Sequence, residues 1–146
     1  YTDVLYAHLP FFKTNSFIYY KLSIYRYYVG REEQSMNLAN IVRNKTHMFS
    51  IFSLLYKNYT LYKKTINNNK RQYFLNFLNQ YNFYIFNILL KQPYSIAEQD
   101  IKERIKYIKK EINEPQIYNT FKYHIISKTP FWLLRILINT RNIIKK

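Results

Sequence analysis

Residues 72–90 read Gln-Tyr-Phe-Leu-Asn-Phe-Leu-Asn-Gln-Tyr-Asn-Phe-Tyr-Ile-Phe-Asn-Ile-Leu-Leu. Phe74, Phe77, Leu78, Tyr81, Ile85, Ile88 and Leu89 recur at the i, i+3, i+4, i+7 spacing that lines one face of an α-helix, while Asn76, Asn79, Gln80 and Asn87 gather on the opposite side. The pattern predicts an amphipathic helix from about Gln72 to Leu90 whose polar back is uncharged. Nineteen residues without a charge also raise the question of a membrane span. Six of them are Asn or Gln, a heavy cost in hydrocarbon, so a helix buried in protein is the better reading.

Working outward, the neighbouring segments also read as helices. Ser95 and Glu98 have the spacing of a capping box, which predicts a helix running to about Asn113 and stopping before Pro115. Its apolar stripe of Ile101, Ile105, Ile108 and Ile112 is narrow, and Asp100 and Arg104 can pair at i, i+4, as expected of a solvated, charge-balanced helix with one edge on the core. Thr129 as N-cap with Pro130 at the first helical position announces another. There Phe131, Trp132, Leu133, Leu134, Ile136, Leu137 and Ile138 surround Arg135, a helix apolar on nearly all sides but too short to span a bilayer, so packing against a partner is expected, with Arg135 needing a phosphate, carboxylate or backbone carbonyl.

Two further helices are weaker. Met48, Phe52, Leu55, Tyr59 and Tyr62 recur at helical spacing between about Thr46 and Lys64, and Ser16–Val29 is bracketed by a candidate N-cap and by Gly30. Ser16–Val29 and Phe121–Ile126 are rich in Tyr and Ile and read equally as short strands. Thr65–Lys70 reads as a loop. One Gly and four Pro leave few tight turns, which argues against an all-β or dinucleotide-binding fold. The expectation is a mainly α chain: a single domain over residues 1–146, an irregular bundle of about five helices with basic loops and a basic C-terminal tail.

Charge is distributed unevenly. All eight acidic residues lie at Asp3, at Glu32 and Glu33, and between Glu98 and Glu114, whereas residues 34–97 and 115–146 carry eight and six Lys/Arg with no acid. These two tracts supply nearly all of the net +15. Unpaired like charges repel and destabilise a compact state, so such a surface implies a polyanionic partner. Lys57, Lys63, Lys64, Lys70 and Arg71 run from the end of one predicted helix to the start of the next, and Lys122, Lys128, Arg135, Arg141, Lys145 and Lys146 form a second cluster around the C-terminal helix. Each phosphate neutralised by such a side chain releases counterions and adds salt-sensitive affinity. Tyr56, Tyr59, Tyr62 and Tyr73 are interleaved with the first cluster and are candidates either for the core or for stacking on unpaired bases. The same basic tail beside an apolar helix also suits an anionic membrane surface.

Catalytic chemistry is poorly supported. His8, His47 and His124 lack metal-ligand spacing, a single Gly cannot make a glycine-rich phosphate loop, and Glu32 and Glu33 read as a helix N-terminal pair. With no Cys there is no thiol nucleophile, disulfide or Cys-based zinc site. The expectation is a non-enzyme without cofactor or metal. The front of the chain shows no charged region followed by an apolar core and small-residue cleavage site, so no secretory signal is expected. Asn44-Lys45-Thr46 and Asn58-Tyr59-Thr60 fit the glycosylation pattern by chance in a chain holding 16 Asn.

Asn, Lys, Ile, Tyr and Phe make up 79 of the 146 residues, the mark of an extremely AT-rich genome. In composition alone, the whole chain resembles proteins encoded by the AT-rich mitochondria of protists such as ciliates, among them divergent mitochondrial ribosomal proteins and respiratory-complex subunits. That resemblance implies a mitochondrial location and two alternatives. One is a structural RNA-binding protein of a mitochondrial ribosome, with ribosomal RNA and neighbouring ribosomal proteins as partners. The other is an accessory subunit of an inner-membrane respiratory or ATP synthase complex, with membrane-complex subunits and anionic lipid as partners.

Overall fold

The structure, a computed structural model, describes residues 2–16, 18, 21 and 38–136. The expected element at Ser16–Val29, its bracketing Gly30, the Glu32–Glu33 pair and the basic residues Arg141, Lys145 and Lys146 lie outside the described residues, apart from isolated positions at the start of the first of these. Among the described residues every regular element is helical and none is a strand. In chain order these are α1 (Thr2–His8), a 3₁₀ turn (Pro10–Phe12), α2 (Leu38–Arg43), α3 (Lys45–Tyr62), α4 (Asn68–Leu89), α5 (Tyr94–Glu111), α6 (Pro115–Tyr118) and α7 (Phe121–Lys128). Residues 131–136 are also helical. The chain divides into two compact units, Tyr1–Phe74 and Leu75–Lys146, with the division falling inside α4.

In the first unit, α1 and the 3₁₀ turn pack on α3. Met48, Ile51, Phe52, Leu55, Tyr56 and Tyr59 are the buried residues of α3, and their i, i+3, i+4, i+7 spacing is the reason this segment is helical. Phe12 stacks on Phe74 with ring centroids 3.9 Å apart and on Tyr62 at 5.5 Å, which ties the 3₁₀ turn to both α3 and the start of α4. Helix α4 begins at Asn68, four residues before the start expected from apolar periodicity, so the expected loop at Thr65–Lys70 shortens. The reason is local: the Asn67 side chain accepts a hydrogen bond from the Lys70 amide at 2.9 Å, and its carbonyl accepts from Arg71. An Asn at this position satisfies donors that a helix start otherwise leaves open.

In the second unit, α4 buries Leu75, Leu78, Tyr81, Ile85, Phe86, Ile88 and Leu89, while Asn76, Gln80 and Asn87 are exposed as the periodicity requires. Asn82, the remaining Asn of this stretch, is buried. Helix α5 starts at Tyr94 with Pro93 as N-cap and no side-chain cap, so the expected capping box is not formed. Ser95 lies inside the first turn, and Glu98 pairs forward with Lys102 at 2.7 Å rather than back with Ser95. Proline fixes its own φ and places the chain for helix entry, which moves the start one residue ahead of the serine. The buried line of α5 is Ala97, Ile101, Arg104 and Ile108, with Ile105 only half-buried, so the stripe is displaced toward Arg104.

Phe121–Lys128 is a helix and not the alternative strand. Thr120 caps it by accepting from the Tyr123 amide at 3.3 Å, and Tyr123 and Ile126 are buried at helical, not alternating, spacing. Thr129 ends this helix in an extended conformation, as a residue before proline prefers. The helical segment after Pro130 is not buried all round: Phe131 and Leu134 are inside, while Trp132 is 57% and Ile136 49% exposed.

No helix among the described residues is long and apolar enough to cross a membrane, α4 included.

Candidate nucleic-acid interface

The cations singled out in the first acid-free tract collect around the α3–α4 turn. Lys57 is exposed on α3, Lys64 is exposed in the turn, Lys63 is half-buried beside it, and Arg71 is exposed in the first turns of α4. Arg71 donates from Nε to the Tyr59 hydroxyl at 3.3 Å, so it anchors the start of α4 to the last turn of α3. Lys70 is half-buried and donates from Nζ to the Thr14 carbonyl, which binds the segment after the 3₁₀ turn to α4. Of the five, Lys57 and Lys64 therefore present their charge most freely, and Lys70 is partly committed to holding the fold.

This end of α4 is unusual electrostatically. A helix N-terminus carries partial positive charge and normally attracts Asp or Glu. The first turn of α4 has no acid and instead carries Lys70 and Arg71 nearby. Helices α2 and α3 likewise have no acid in their first turns.

Two of the interleaved tyrosines are core. Tyr56 and Tyr59 are buried and stack on each other at 6.4 Å, so neither offers an open face, and Tyr62 is half-buried with its ring stacked on Phe12. Tyr73 differs: it is 42% exposed. Lys13, exposed next to Phe12, is a cation of the same unit that the sequence pattern did not single out, because nothing local connects it to residues near position 70.

In the second unit, Lys122, Lys128 and Arg135 are the described members of the expected cluster. Lys122 lies over the Phe83 ring at 4.6 Å, Lys128 is exposed at the end of α7, and Arg135 donates from Nη1 to the carbonyls of Leu90 and, at 3.0 Å, Gln92. These carbonyls follow the C-terminus of α4, where a cation complements the negative end of the helix. Arg135 thus finds the backbone-carbonyl partner that burial demanded.

Sequence reasoning missed the buried polar centre of this unit. Arg104 is 4% exposed, and its Nε and Nη2 both donate to Asn82 Oδ1, at 3.1 and 2.9 Å. Its guanidinium carbon also sits 5.0 Å from the Tyr107 ring centroid. Burial draws the guanidinium well below its ordinary value, to about 10, against the opposing pull of Tyr107, Tyr81 and Tyr123. Burial likewise pushes the phenol of Tyr123 above its ordinary range, with Tyr118 adding to the rise and Arg104 opposing it, and pushes Tyr84 up as well. The Tyr123 hydroxyl is buried and makes no hydrogen bond among the described residues. Removing it therefore sheds a desolvation cost without losing a bond: Tyr123→Phe is expected to leave stability unchanged or raise it by up to about 1 kcal/mol. The same substitution should remove one phenol from the late part of the alkaline absorbance titration. A loss of stability beyond that size in chemical denaturation would show the hydroxyl to be engaged.

A shallow apolar cleft on α1 is lined by Leu5, Tyr6, Leu9 and Pro10, and it carries no chemistry of its own. Among the described residues no group of His, Asp and Glu is placed to hold a metal ion. The chain matches no protein-family model, and no curated protein and no solved structure is detectably similar to it.

Proposed function

We propose that this chain is a structural, non-catalytic RNA-binding protein of a mitochondrial ribosome, contacting ribosomal RNA phosphates through its basic tracts and neighbouring proteins through its apolar helical surfaces. The observation that carries the reading is the acid-free tract from residue 34 to 97, whose cations Lys57, Lys63, Lys64 and Arg71 collect around the α3–α4 turn with no carboxylate in that stretch to neutralise them. Phosphate supplies the missing negative charge, and a chain that assembles onto RNA has no need to balance its own surface. The exposed Trp132 and Ile136 beside the basic residue Lys128 suit a protein neighbour in such a particle. The chemistry of Lys and Arg does not distinguish RNA phosphate from lipid headgroup phosphate.

Sedimentation decides between the two sources of phosphate. Mitochondria carrying the tagged chain are extracted with carbonate, and the extract is run on a sucrose gradient with and without magnesium chelation. Co-migration with a ribosomal subunit, shifting when chelation dissociates the subunits, is expected. Retention in the carbonate-resistant membrane pellet would overturn the proposal in favour of the membrane-complex reading.

A further inference from the structure

Tyr73 occupies a position that the other exposed aromatic residues do not share. Among the described residues Tyr6, Tyr73, Tyr94 and Trp132 are the exposed aromatics, and of these only Tyr73 is held in near-parallel stacks. Phe11 lies 5.3 Å from it, centroid to centroid, at an interplanar angle of 21°, and His8 lies 6.0 Å away at 15°. Phe74, itself fully buried, meets the Tyr73 ring edge-on at 5.4 Å. These separations are in the range where aromatic pairs are favourable, and Tyr73 as a residue stays 42% exposed.

The ring is therefore both exposed and fixed. An exposed tyrosine on a free helix face rotates among its rotamers, and ordering it on binding costs side-chain entropy. Here the cost has already been met in folding, because α1 and the 3₁₀ turn press two rings against it. His8 is held in turn by the bond between its Nδ1 and the Val4 carbonyl at 2.7 Å. Such pre-organisation favours a ligand that recognises the ring by its π-face.

The surroundings specify what kind of ligand that is. Lys70 and Asn69 lie three and four residues before Tyr73 and so share its side of the helix, and Lys13 is exposed in the segment that carries Phe11. An aromatic face with cations beside it and an exposed amide within one helical turn matches a nucleotide: the base stacks, the phosphate meets Lys, and the amide can reach a base edge. Bases inside a duplex have no free face, so the ligand is an unpaired one. We propose that Tyr73 is a stacking platform for an unpaired base of single-stranded RNA, with the exposed Lys13 serving its phosphate. This rests on the RNA-binding reading above and adds to it the class of RNA recognised.

The test is fluorescence anisotropy of the full chain with a single-stranded RNA decamer and with a blunt RNA duplex of equal phosphate count, for the wild type, Tyr73→Ala and Tyr73→Phe. Tyr73→Ala is expected to weaken single-strand binding about tenfold and leave duplex binding unchanged, while Tyr73→Phe, which keeps the ring, retains the wild-type affinity. A 2-aminopurine within the decamer should be quenched by the wild type and by Tyr73→Phe but not by Tyr73→Ala, and circular dichroism checks that all three fold. Equal single-strand affinity for the wild type and a folded Tyr73→Ala, or an equal loss on the duplex, would overturn the platform while leaving RNA binding itself standing. Absence of binding to either RNA by folded wild type would remove both.

Discussion

Replacing Asn82 by Leu is expected to destabilise the second unit by about 3 to 5 kcal/mol, because it strips the buried Arg104 guanidinium of the oxygen that accepts from two of its nitrogens. The converse change, Arg104→Leu, leaves a neutral amide unsatisfied and is expected to cost less, about 1 to 3 kcal/mol. The double variant has neither the buried guanidinium nor the amide that it bonds to and should be more stable than Asn82→Leu alone, so the two substitutions are non-additive. Chemical denaturation of the four proteins measures this cycle. Additive losses would show that the Asn82–Arg104 bonds are not what stabilises the buried charge. The pH dependence follows from the same group: its folded value, drawn down by burial to about 10, lies below that of the free side chain. Charged Arg104 therefore disfavours folding below its folded value, and that penalty is lifted as pH rises between the two values. Tyr84 and Tyr123 oppose this, since their raised values mean that the stability they contribute is lost as pH rises above the ordinary tyrosine range.

Phe74→Ala is expected to be of similar size in the first unit, about 3 to 5 kcal/mol. The ring is fully buried, stacks on Phe12 at 3.9 Å and takes Tyr73 edge-on, so its removal opens a cavity among several aromatic neighbours at once. Phe74→Leu keeps much of the volume and should lose about 1.5 kcal/mol or less. Thermal unfolding followed by circular dichroism distinguishes the two. Indistinguishable transitions for wild type and Phe74→Ala would mean that the Phe12 segment does not dock on α4 in solution.

The helical class was legible because the long helices carry their own periodicity: Met48, Phe52, Leu55 and Tyr59 in α3, and Phe74, Leu78, Tyr81 and Ile85 in α4, are buried as their spacing requires. Helix starts were less so. Asn67 is one of three consecutive Asn, and only its bond to the Lys70 amide distinguishes it from its neighbours. Ser95 and Glu98 satisfied a capping pattern that Pro93 pre-empted by starting the helix two residues earlier. At Phe121–Ile126 the β-branched and aromatic content suited either structure, and Thr120 resolved it as a cap.

For the candidate interface, charge placement was readable and side-chain commitment was not. Lys70 and Arg135 look equivalent to Lys64 in a list of cations, yet they donate to backbone carbonyls 56 and 43–45 residues away, which no local pattern records. The same distance in sequence hides the stacking of His8 and Phe11 on Tyr73, and the burial of Arg104 against Asn82.

The acid-free tract is read as a phosphate-binding surface, and the salt dependence of RNA affinity measures that most directly. With about four phosphates neutralised, log affinity for single-stranded RNA should fall against log salt with a slope of about −3, a loss of roughly fifty-fold from about 50 to about 200 mM salt. The triple variant Lys57→Ala, Lys63→Ala, Lys64→Ala should bind more weakly and flatten that slope by about two. An affinity indifferent to salt, or a slope that the triple variant leaves untouched, would contradict the account.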